Sequence, residues 1–201
     1  MLQENIVIDD YDEKIKGCTV LWVDKKHTAR KSLESFIYNN YYKVHQAEIN
    51  HYFDHLFACS DGFQFVASLG INFLKSKSKG FVEQYLDCSA EQAISQVTKQ
   101  PIDRNEVVEL GNLSSIMAGA TRRIIFKISP KLLAKGAKWA IFTINKPVYN
   151  AFKKAGLDPL FIIKADPKKL VDQSTNWGSY YDTVPCVYAV RIPSGLLIKI
   201  I

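Results

Sequence analysis

The alternation of apolar and polar residues predicts a series of short strands and amphipathic helices. An apolar run at 19–23 predicts a strand, and residues 29–44 place apolar side chains every three or four positions, as one face of a helix requires. We predict a second helix over about 46–57. The polar segment 89–99 opens on Ser89, a residue type favoured at helix N-caps, and predicts a short helix.

Residues 63–73 and 80–86 alternate apolar and polar positions and are joined by a Lys/Ser-rich turn, so we predict that they pair as an antiparallel hairpin. The remaining predicted elements are a strand at 105–113, a helix from about 119, a strand at 138–144, a helix at 146–155, a strand at 159–163 and a last strand near 185–192. Together they predict an α/β fold with a mixed, largely antiparallel sheet.

Pro130 falls inside the helix predicted from about 119. Its missing N–H costs roughly 3 kcal/mol if that helix is continuous. The alternative is that Ser129 and Pro130 cap a restarted turn.

Length and composition fit one globular domain over residues 1–201. The chain is 47% apolar and 23% charged, which is enough to bury one substantial core. No apolar run approaches the roughly 18 residues of a membrane-spanning helix. The segment 1–14 is polar and acidic, whereas a secretory signal is basic and then apolar. Four scattered cysteines without a CxxC spacing indicate neither a zinc ribbon nor a disulfide framework. We therefore expect a reduced, cytoplasmic protein.

The net charge of +6 is modestly basic and makes an anionic partner plausible without choosing among nucleotide, acidic protein and lipid. We expect no nucleic-acid partner. His51, His55 and Cys59 would share one helical face if the helix at 46–57 extended. A zinc site there lacks a Glu general base and a fourth ligand, so we expect packing and no metal.

Several segments resemble the thermostable hemolysin family over about residues 30–190. They are GFVEQYLDCSAEQAIS, VVELGNLSS, GATRRII, KWAIFTINKPVYNAFKKAGLDPLFIIKADPKKL and WGSYYDTVPCVYA. That family is related to the GCN5-like N-acyltransferases, within which this chain is similar to acyl-homoserine lactone synthases and N-acyl amino acid synthases. The resemblance implies a GCN5-like acyltransferase fold and transfer of an acyl group from acyl-CoA or acyl carrier protein to a small amine.

The resemblance places the donor site on segment 109–125. In the superfamily a central strand splays from its neighbour, and the turn after it presents N–H groups to a pyrophosphate at a helix N-terminus. The donor-binding residues that this implies are Leu113, Ser114, Ser115, Met117, Gly119, Ala120, Thr121, Arg122, Arg123 and Asn145.

The turn departs from the superfamily pattern Gln/Arg-x-x-Gly-x-Gly/Ala. Ser115 and Ala118 stand where Arg/Gln and Gly are expected. Because Gly lets a backbone approach a phosphate closely, this favours a looser anion site or a donor carried by a protein. The alternative is a plain helix start with solvated arginines.

A row of basic residues lies on the same predicted helix. Arg123, Lys127, Lys131 and Lys135 are four apart and form one row if the helix continues past Pro130. Such a row would attract an acidic carrier protein. The alternative is an ordinary solvated face.

Acyl transfer to an amine requires a neutral amine, a stabilised oxyanion and a proton for the leaving thiol. The resemblance puts Glu83 and Glu109 on strands beside the cleft, where burial would raise the pKa of either carboxyl. The alternative is that both pair with arginines and brace the sheet. Asn112 would position the acyl carbonyl. Phe152 occupies the position of the tyrosine that donates the proton in acetyltransferases of this fold, and Tyr149 is a weak substitute, so the proton donor stays unassigned.

Segment 176–189 is rich in aromatic and hydrogen-bonding groups. Trp177, Tyr180, Tyr181 and Asp182 would wall the acceptor or acyl pocket; the alternative is a packed loop that closes the sheet edge. Two other functions stay open. One is direct action on lipid with peripheral membrane contact, as the family name implies. The other is an acyl-binding relic of the fold without catalysis.

Overall fold

The computed structural model describes residues 18–193, except residues 76–78, 118 and 155 and the side chain of Arg122. The strands are β1 (Thr19–Val23), β2 (His55–Ser60), β3 (Phe65–Phe73), β4 (Val107–Ser115), β5 (Trp139–Ile144), β6 (Leu160–Lys164) and β7 (Cys186–Arg191). The α-helices are α1 (Arg30–His45), α2 (Ala90–Thr98), α3 (Ala120–Ala134) and α4 (Lys146–Lys154). None of the helices in these ranges combines the length and the apolar character that crossing a bilayer requires.

The seven strands form one sheet in the order β1-β2-β3-β4-β5-β7-β6. Neighbouring strands are antiparallel, except that β4 and β5 are parallel. The predicted mixed, largely antiparallel α/β fold is confirmed. Because β4 and β5 are both central and run the same way, their carboxyl ends meet at the same edge of the sheet.

Helices cover both faces of this sheet. Ile124 and Ile128 of α3 are buried in the same cluster as Phe57 of β2. Leu33 of α1 is buried with Leu56, the neighbour of Phe57 in the sequence. Successive residues of a strand point to opposite faces, so α1 and α3 pack on opposite sides of the sheet and bury it between them.

The helix predicted over 46–57 is wrong. Helix α1 ends at His45, its C-cap Gln46 adopts a left-handed conformation with φ of 54°, and the chain then runs irregularly to strand β2. A side chain distant in the sequence holds the backbone of this irregular segment, since the Arg30 guanidinium donates to the carbonyls of Phe53 (2.8 Å) and Asp54 (3.0 Å). The local pattern resembled a helix, but these long-range bonds and the buried strand that follows decide the conformation.

The predicted hairpin between 63–73 and 80–86 is also wrong. Strand β3 pairs with β2 on one side and β4 on the other, so no edge of β3 is left for segment 80–86. That segment forms a 3-10 turn at Phe81–Gln84 with Val82 and Tyr85 buried.

Helix α3 runs through Pro130 without a break, so the restarted turn does not form. Ser129 donates its hydroxyl to the Ile125 carbonyl at 2.8 Å. Pro130 itself is exposed, which keeps its ring away from the packed face.

Candidate active site

The sheet opens between β4 and β5. Their parallel pairing joins Val107–Leu110 to Trp139–Phe142 and stops there, although β4 continues to Ser115 and β5 to Ile144. Beyond this point the two strands diverge and leave a gap at their carboxyl ends.

A bulge in β4 lies at the point where the gap begins. Gly70 of β3 pairs with Gly111, and Ser68 pairs with Ser114, so β4 carries one extra residue in this interval. Asn112 lies inside it with φ of 44°, a left-handed conformation that Asn tolerates better than most residues. A bulge of this kind bends the strand and turns its following residues away from the regular ladder.

Three adjoining cavities follow this gap through the protein. The donor cleft, of about 330 Å³, lies between the ends of β4 and β5 and the C-terminal part of α1. The inner pocket, of about 70 Å³, contains Glu109 and Asn112. The outer pocket, of about 910 Å³, lies between segments 49–54, 79–84 and 169–177.

The inner pocket shares lining residues with each of the other two cavities. Tyr41, Thr143 and Tyr180 line both the donor cleft and the inner pocket. The inner and outer pockets share five residues, which are Ile49, His51, Phe53, Phe81 and Trp177. A molecule entering the donor cleft and another entering the outer pocket would therefore meet beside Glu109.

The donor cleft contains part of the predicted donor site. Leu113, Ser114, Ser115, Thr121 and Asn145 line it. Ser114 is buried and its hydroxyl has no hydrogen-bond partner among the described residues. A buried polar atom without a partner marks a place where a ligand can supply one.

Asn145 has a structural role as well. Its Oδ1 accepts a hydrogen bond from the Val148 N–H at 3.3 Å, within the first turn of α4. Met117 is packed against the core cluster under α3, and its carbonyl accepts from the Ser115 hydroxyl at 3.0 Å.

Helix α3 begins beside the donor cleft with features that suit an anion. Its cap residue Gly119 has φ of 77°, no side chain caps the helix, and the first turn carries no acidic residue. The Ala120 N–H donates to the Met117 carbonyl at 3.1 Å, whereas the N–H groups that follow in the first turn of a helix without a side-chain cap can receive an anion, which the helix dipole also favours. Ala120 is buried and Arg123 is exposed. Ala118 and the side chain of Arg122 lie outside the described residues.

The basic row on α3 is continuous because the helix does not break. Lys131 lies over the ring of Phe57 (5.8 Å) and Lys135 over that of Trp22 (5.7 Å). These two residues therefore lie at the side of β1 and β2.

Glu109 is the most perturbed carboxyl of the inner pocket. Its side chain is 2% exposed. It accepts hydrogen bonds from the N–H groups of Phe81 (2.9 Å) and Val82 (2.6 Å) and from the amide of Asn72 (3.1 Å). Burial raises the pKa of Glu109 from 4.5 to about 7, and the three hydrogen bonds oppose that rise. All three donors are uncharged, and within the described part of the chain no arginine pairs with Glu109.

Glu83 lies on the 3-10 turn, whereas the sequence placed it on a strand. Arg104 contacts its carboxylate at 2.6 Å, and the N–H groups of Gly80 and Ala90 donate to it at 2.8 Å each. Burial raises the pKa of Glu83, but Arg104 and the backbone donors outweigh it and hold the pKa below the ordinary value of 4.5. Glu83 lines the outer pocket, and its geometry fits the bracing alternative.

The Asn112 amide fastens the wall of the inner pocket to β4. Its Oδ1 accepts from the Phe53 N–H (2.9 Å), and its Nδ2 donates to the His51 carbonyl (3.0 Å). Asn112 also lines the inner pocket, so its assignment to the acyl carbonyl stays a prediction.

The aromatic segment divides into two parts. Trp177 and Tyr180 line the cavities, and the Trp177 Nε1 is buried without a partner among the described residues. Tyr181 reaches the inner pocket through Tyr85, whose hydroxyl is 2.5 Å from its own. Asp182 is exposed and lines none of these three cavities.

Phe152 on α4 stands where the resemblance implies a tyrosine in acetyltransferases. Phe152 is 2% exposed and packs on Phe142 at 4.7 Å. Tyr149 packs on Tyr188 at 5.1 Å, beneath the ammonium of Lys146, and does not line the donor cleft.

Of the inner-pocket lining, sequence reasoning assigned Glu109, Asn112, Trp177 and Tyr180 to the site, and the residues that it missed include Tyr41, Phe53, Phe81 and Tyr85. Tyr41 was assigned to an apolar helix face, and Phe53 and Phe81 lie on the two segments whose conformation was mispredicted. His51 was considered as a metal ligand, yet it stacks on Phe81 at 5.6 Å. Among the described residues no three His, Cys, Asp or Glu side chains are grouped so as to hold a metal ion.

Comparison with solved structures gives the same fold at low sequence identity. The N-acyl amino acid synthase FeeM from uncultured soil microbes has a TM-score of 0.61 at 9% identity, covering 88% of this chain and 92% of that chain. BjaI, a CoA-dependent acyl-homoserine lactone synthase solved with SAM and isopentyl-CoA, has a TM-score of 0.54 at 10% identity, covering 89% and 85%. A probable acetyltransferase from Staphylococcus epidermidis ATCC 12228 has a TM-score of 0.50 at 12% identity, covering 88% and 99%. The fold is the GCN5-like acyltransferase fold.

Comparison by sequence gives the family. No curated protein matches this sequence. The model of the thermostable hemolysin family matches residues 23–196, which is most of the chain. The chain therefore belongs to the thermostable hemolysin family.

Proposed function

We propose that this protein is an N-acyltransferase that moves an acyl group from a thioester to a small amine. The observation that carries the proposal is the position of Glu109. It is a buried carboxyl with a pKa of about 7, in the inner pocket where the donor cleft and the outer pocket adjoin. A base with a pKa near the working pH is the most effective for removing a proton from an attacking amine.

The donor enters through the donor cleft, and we favour acyl-CoA. The uncapped start of α3 lies beside this cleft and suits a pyrophosphate. BjaI, which shares the fold, is described with isopentyl-CoA bound. An acyl carrier protein is the alternative donor, and the basic row of α3 would attract its acidic surface.

The acceptor enters through the outer pocket and presents its nitrogen to Glu109. Asn72 lines this pocket and donates to Glu109, which orients the carboxylate toward the entering amine. Glu109 takes one proton as the amine attacks the thioester carbonyl. The Ser114 hydroxyl, which is buried and has no hydrogen-bond partner in the described ranges, contacts the donor from the side of β4.

All four cysteines are free, which fits the reducing cytoplasm that we propose as its location. The catalytically inactive relic and direct action on lipid are the competing functions, and both are outcomes of the following test.

The test combines binding and turnover. Octanoyl-CoA at about 100 times its Kd would stabilise the fold by about 2.7 kcal/mol, read as a rise in the unfolding temperature. Thr121→Glu places a negative charge at the start of α3 and should remove that rise. Thr28→Glu is the matched control. Thr28 is exposed and lies just before the N-terminus of α1, whereas the donor cleft adjoins the C-terminal part of that helix.

Turnover is measured as thiol release from octanoyl-CoA in the presence of a mixture of the twenty amino acids and simple amines, with the amide product identified by mass spectrometry. Stabilisation without thiol release would favour the relic. Release of dye from liposomes without any thioester would favour direct membrane action. The proposal would be refuted if octanoyl-CoA and octanoyl carrier protein both failed to stabilise the protein and both gave no turnover.

A further inference from the structure

The proposed reaction leaves one proton without a donor. When the C–S bond breaks, the leaving thiolate must be protonated, and the α4 position that supplies a tyrosine in acetyltransferases of this fold holds buried Phe152. The group that replaces it must lie where the thioester sulfur lies at transfer. That place is the junction of the donor cleft and the inner pocket.

Three hydroxyl groups belong to residues that line this junction, namely Tyr41, Thr143 and Tyr180. A phenol is a far stronger acid than the alcohol of threonine, so the two tyrosines are the better donors. Neither phenol has a hydrogen-bond partner among the described residues, and both are therefore available to a ligand.

The surroundings distinguish Tyr180 from Tyr41. Tyr180 packs edge-on against His45 of the donor cleft at 5.4 Å, and its ring lies tilted against Trp177 of the two pockets at 5.6 Å. It therefore spans the junction from one side to the other. Tyr180 also packs edge-on against Tyr181 at 5.2 Å, and the Tyr181 hydroxyl is hydrogen-bonded to that of Tyr85 in the inner pocket. Tyr41 packs on His45 and on Tyr180 itself, and among the described residues it has no ring contact with Trp177 or Tyr181.

The backbone that carries Tyr180 is fixed to the end of α1. The Ser179 N–H donates to the His45 carbonyl at 2.8 Å, and the Glu48 N–H donates to the Asn176 carbonyl at 2.7 Å. Gly178 makes this approach possible, because a Cβ there would lie 2.0 Å from the same His45 carbonyl oxygen. A donor held by bonded backbone keeps its position relative to the reacting atoms.

We propose that the Tyr180 hydroxyl is the general acid that protonates the leaving thiolate. This inference rests on the proposed acyltransferase function. The amine nitrogen forms the new C–N bond and gives one proton to the Glu109 carboxylate. The C–S bond breaks, its electron pair stays on sulfur, and the sulfur takes the Tyr180 proton. The proton on Glu109 then returns to the Tyr180 phenolate through water in the inner pocket, so each cycle yields one amide and one thiol with no net change in the enzyme.

Burial raises the pKa of Tyr180 well above 10, and the neighbouring phenols of Tyr41 and Tyr181 add to the rise. The phenol is therefore protonated before each turnover, as a general acid must be. Its proton passes to the sulfur as the C–S bond breaks, and the protonated Glu109 then restores the phenol.

The test compares Tyr180→Phe with the wild type on two octanoyl donors. One is octanoyl-CoA, whose alkyl thiolate needs a proton to leave. The other is octanoyl thiophenol, whose aryl thiolate leaves without one. Because each variant is compared with the wild type on the same donor, differences in donor binding cancel. We expect kcat to fall at least about 100-fold with octanoyl-CoA and less than about fivefold with octanoyl thiophenol.

Two tyrosines serve as comparators. Tyr42→Phe removes a phenol that is 44% exposed and stacks on Tyr38, and it should behave as wild type on both donors. Tyr41→Phe removes the other phenol of the junction, and any loss there should be equal for the two donors. The unfolding temperature of Tyr180→Phe should stay close to that of the wild type, since the lost hydroxyl bonds to none of the residues that the structure describes.

The outcomes separate the two proposals. A wild type that releases thiol from neither donor overturns the acyltransferase function and this inference with it. An active wild type with equal losses on both donors in Tyr180→Phe overturns only the role of Tyr180. A donor-dependent loss in Tyr41→Phe instead would transfer the role to Tyr41 and also overturn the assignment.

Discussion

Replacing Glu109 by Gln is the most direct perturbation of the proposed base. The change removes the titrating group and keeps nearly the same volume inside a side-chain site that is 2% exposed. The rate with a bound amine should fall about 100- to 10,000-fold, the contribution typical of a general base.

The structure also fixes how this loss depends on pH. With a pKa of about 7, about one tenth of Glu109 is ionised one pH unit below that value and about nine tenths one unit above it. The ratio of wild-type to Glu109→Gln kcat/KM should therefore rise roughly tenfold from about pH 6 to about pH 8. Taking the ratio cancels the ionisation of the amine itself, because both enzymes use the same acceptor.

Stability gives a second readout of the same carboxyl. The folded-state pKa of Glu109 lies above its ordinary 4.5, so the native state holds its proton more tightly than the unfolded chain. The free energy of unfolding of the wild type, relative to Glu109→Gln, should then fall by about 3 kcal/mol between about pH 4.5 and about pH 7, and stay level above that. Urea denaturation at four pH values measures it.

Glu106→Gln is the matched control for both measurements. Glu106 lies three residues earlier, and its carboxylate pairs with Lys138 at 2.5 Å near the surface. Activity in Glu109→Gln equal to that of Glu106→Gln, or a wild-type rate that is independent of pH between 6 and 8 after correction for the amine, would refute the reasoning about the base.

Three further changes test the framework of the site. Arg104→Met leaves Glu83 unpaired and should lower the free energy of unfolding by about 3 kcal/mol at neutral pH. Because the pKa of Glu83 is lowered in the fold, urea titrations should show this difference shrinking below pH 4.5. A difference that grows there would contradict the pairing. Gly178→Ala should lower the calorimetric unfolding temperature clearly more than Gly119→Ala, since a Cβ meets the His45 carbonyl at the first position and open space at the second; equal losses would mean that only positive φ matters. Pro130→Ala should stabilise the protein by about 2 kcal/mol in chemical denaturation, because α3 is continuous and exposed there, whereas a loss would indicate that the ring itself is needed.

The sequence predicts well the parts of the fold that local patterns determine. Helix α1 and the strands β1, β4, β5, β6 and β7 were placed within one or two residues, because their apolar patterns are recognisable in the sequence itself. It also directs attention to Glu109, since the strand that carries it is recognisable from the family motif VELGNL.

The parts that the sequence mispredicts are those whose conformation depends on distant partners. Segment 46–54 is held by Arg30 and Asn112. Segment 80–84 is held by the carboxylate of Glu109, which accepts from Phe81 and Val82. Neither arrangement leaves a periodic signal, so residues such as Phe53 and Tyr85 entered the site only through the folded structure.

The order of the three cavities has a consequence for steady-state kinetics. The donor cleft and the outer pocket share no lining residue, so a thioester in the first does not obstruct an amine in the second. On the proposed chemistry each substrate can bind to the free enzyme, and both must be present together before transfer. Double-reciprocal plots against one substrate should then intersect as the other is varied, whereas parallel lines would require an acylated enzyme. The thiol would leave by the donor cleft while the amide leaves by the outer pocket, and neither product would have to wait for the other.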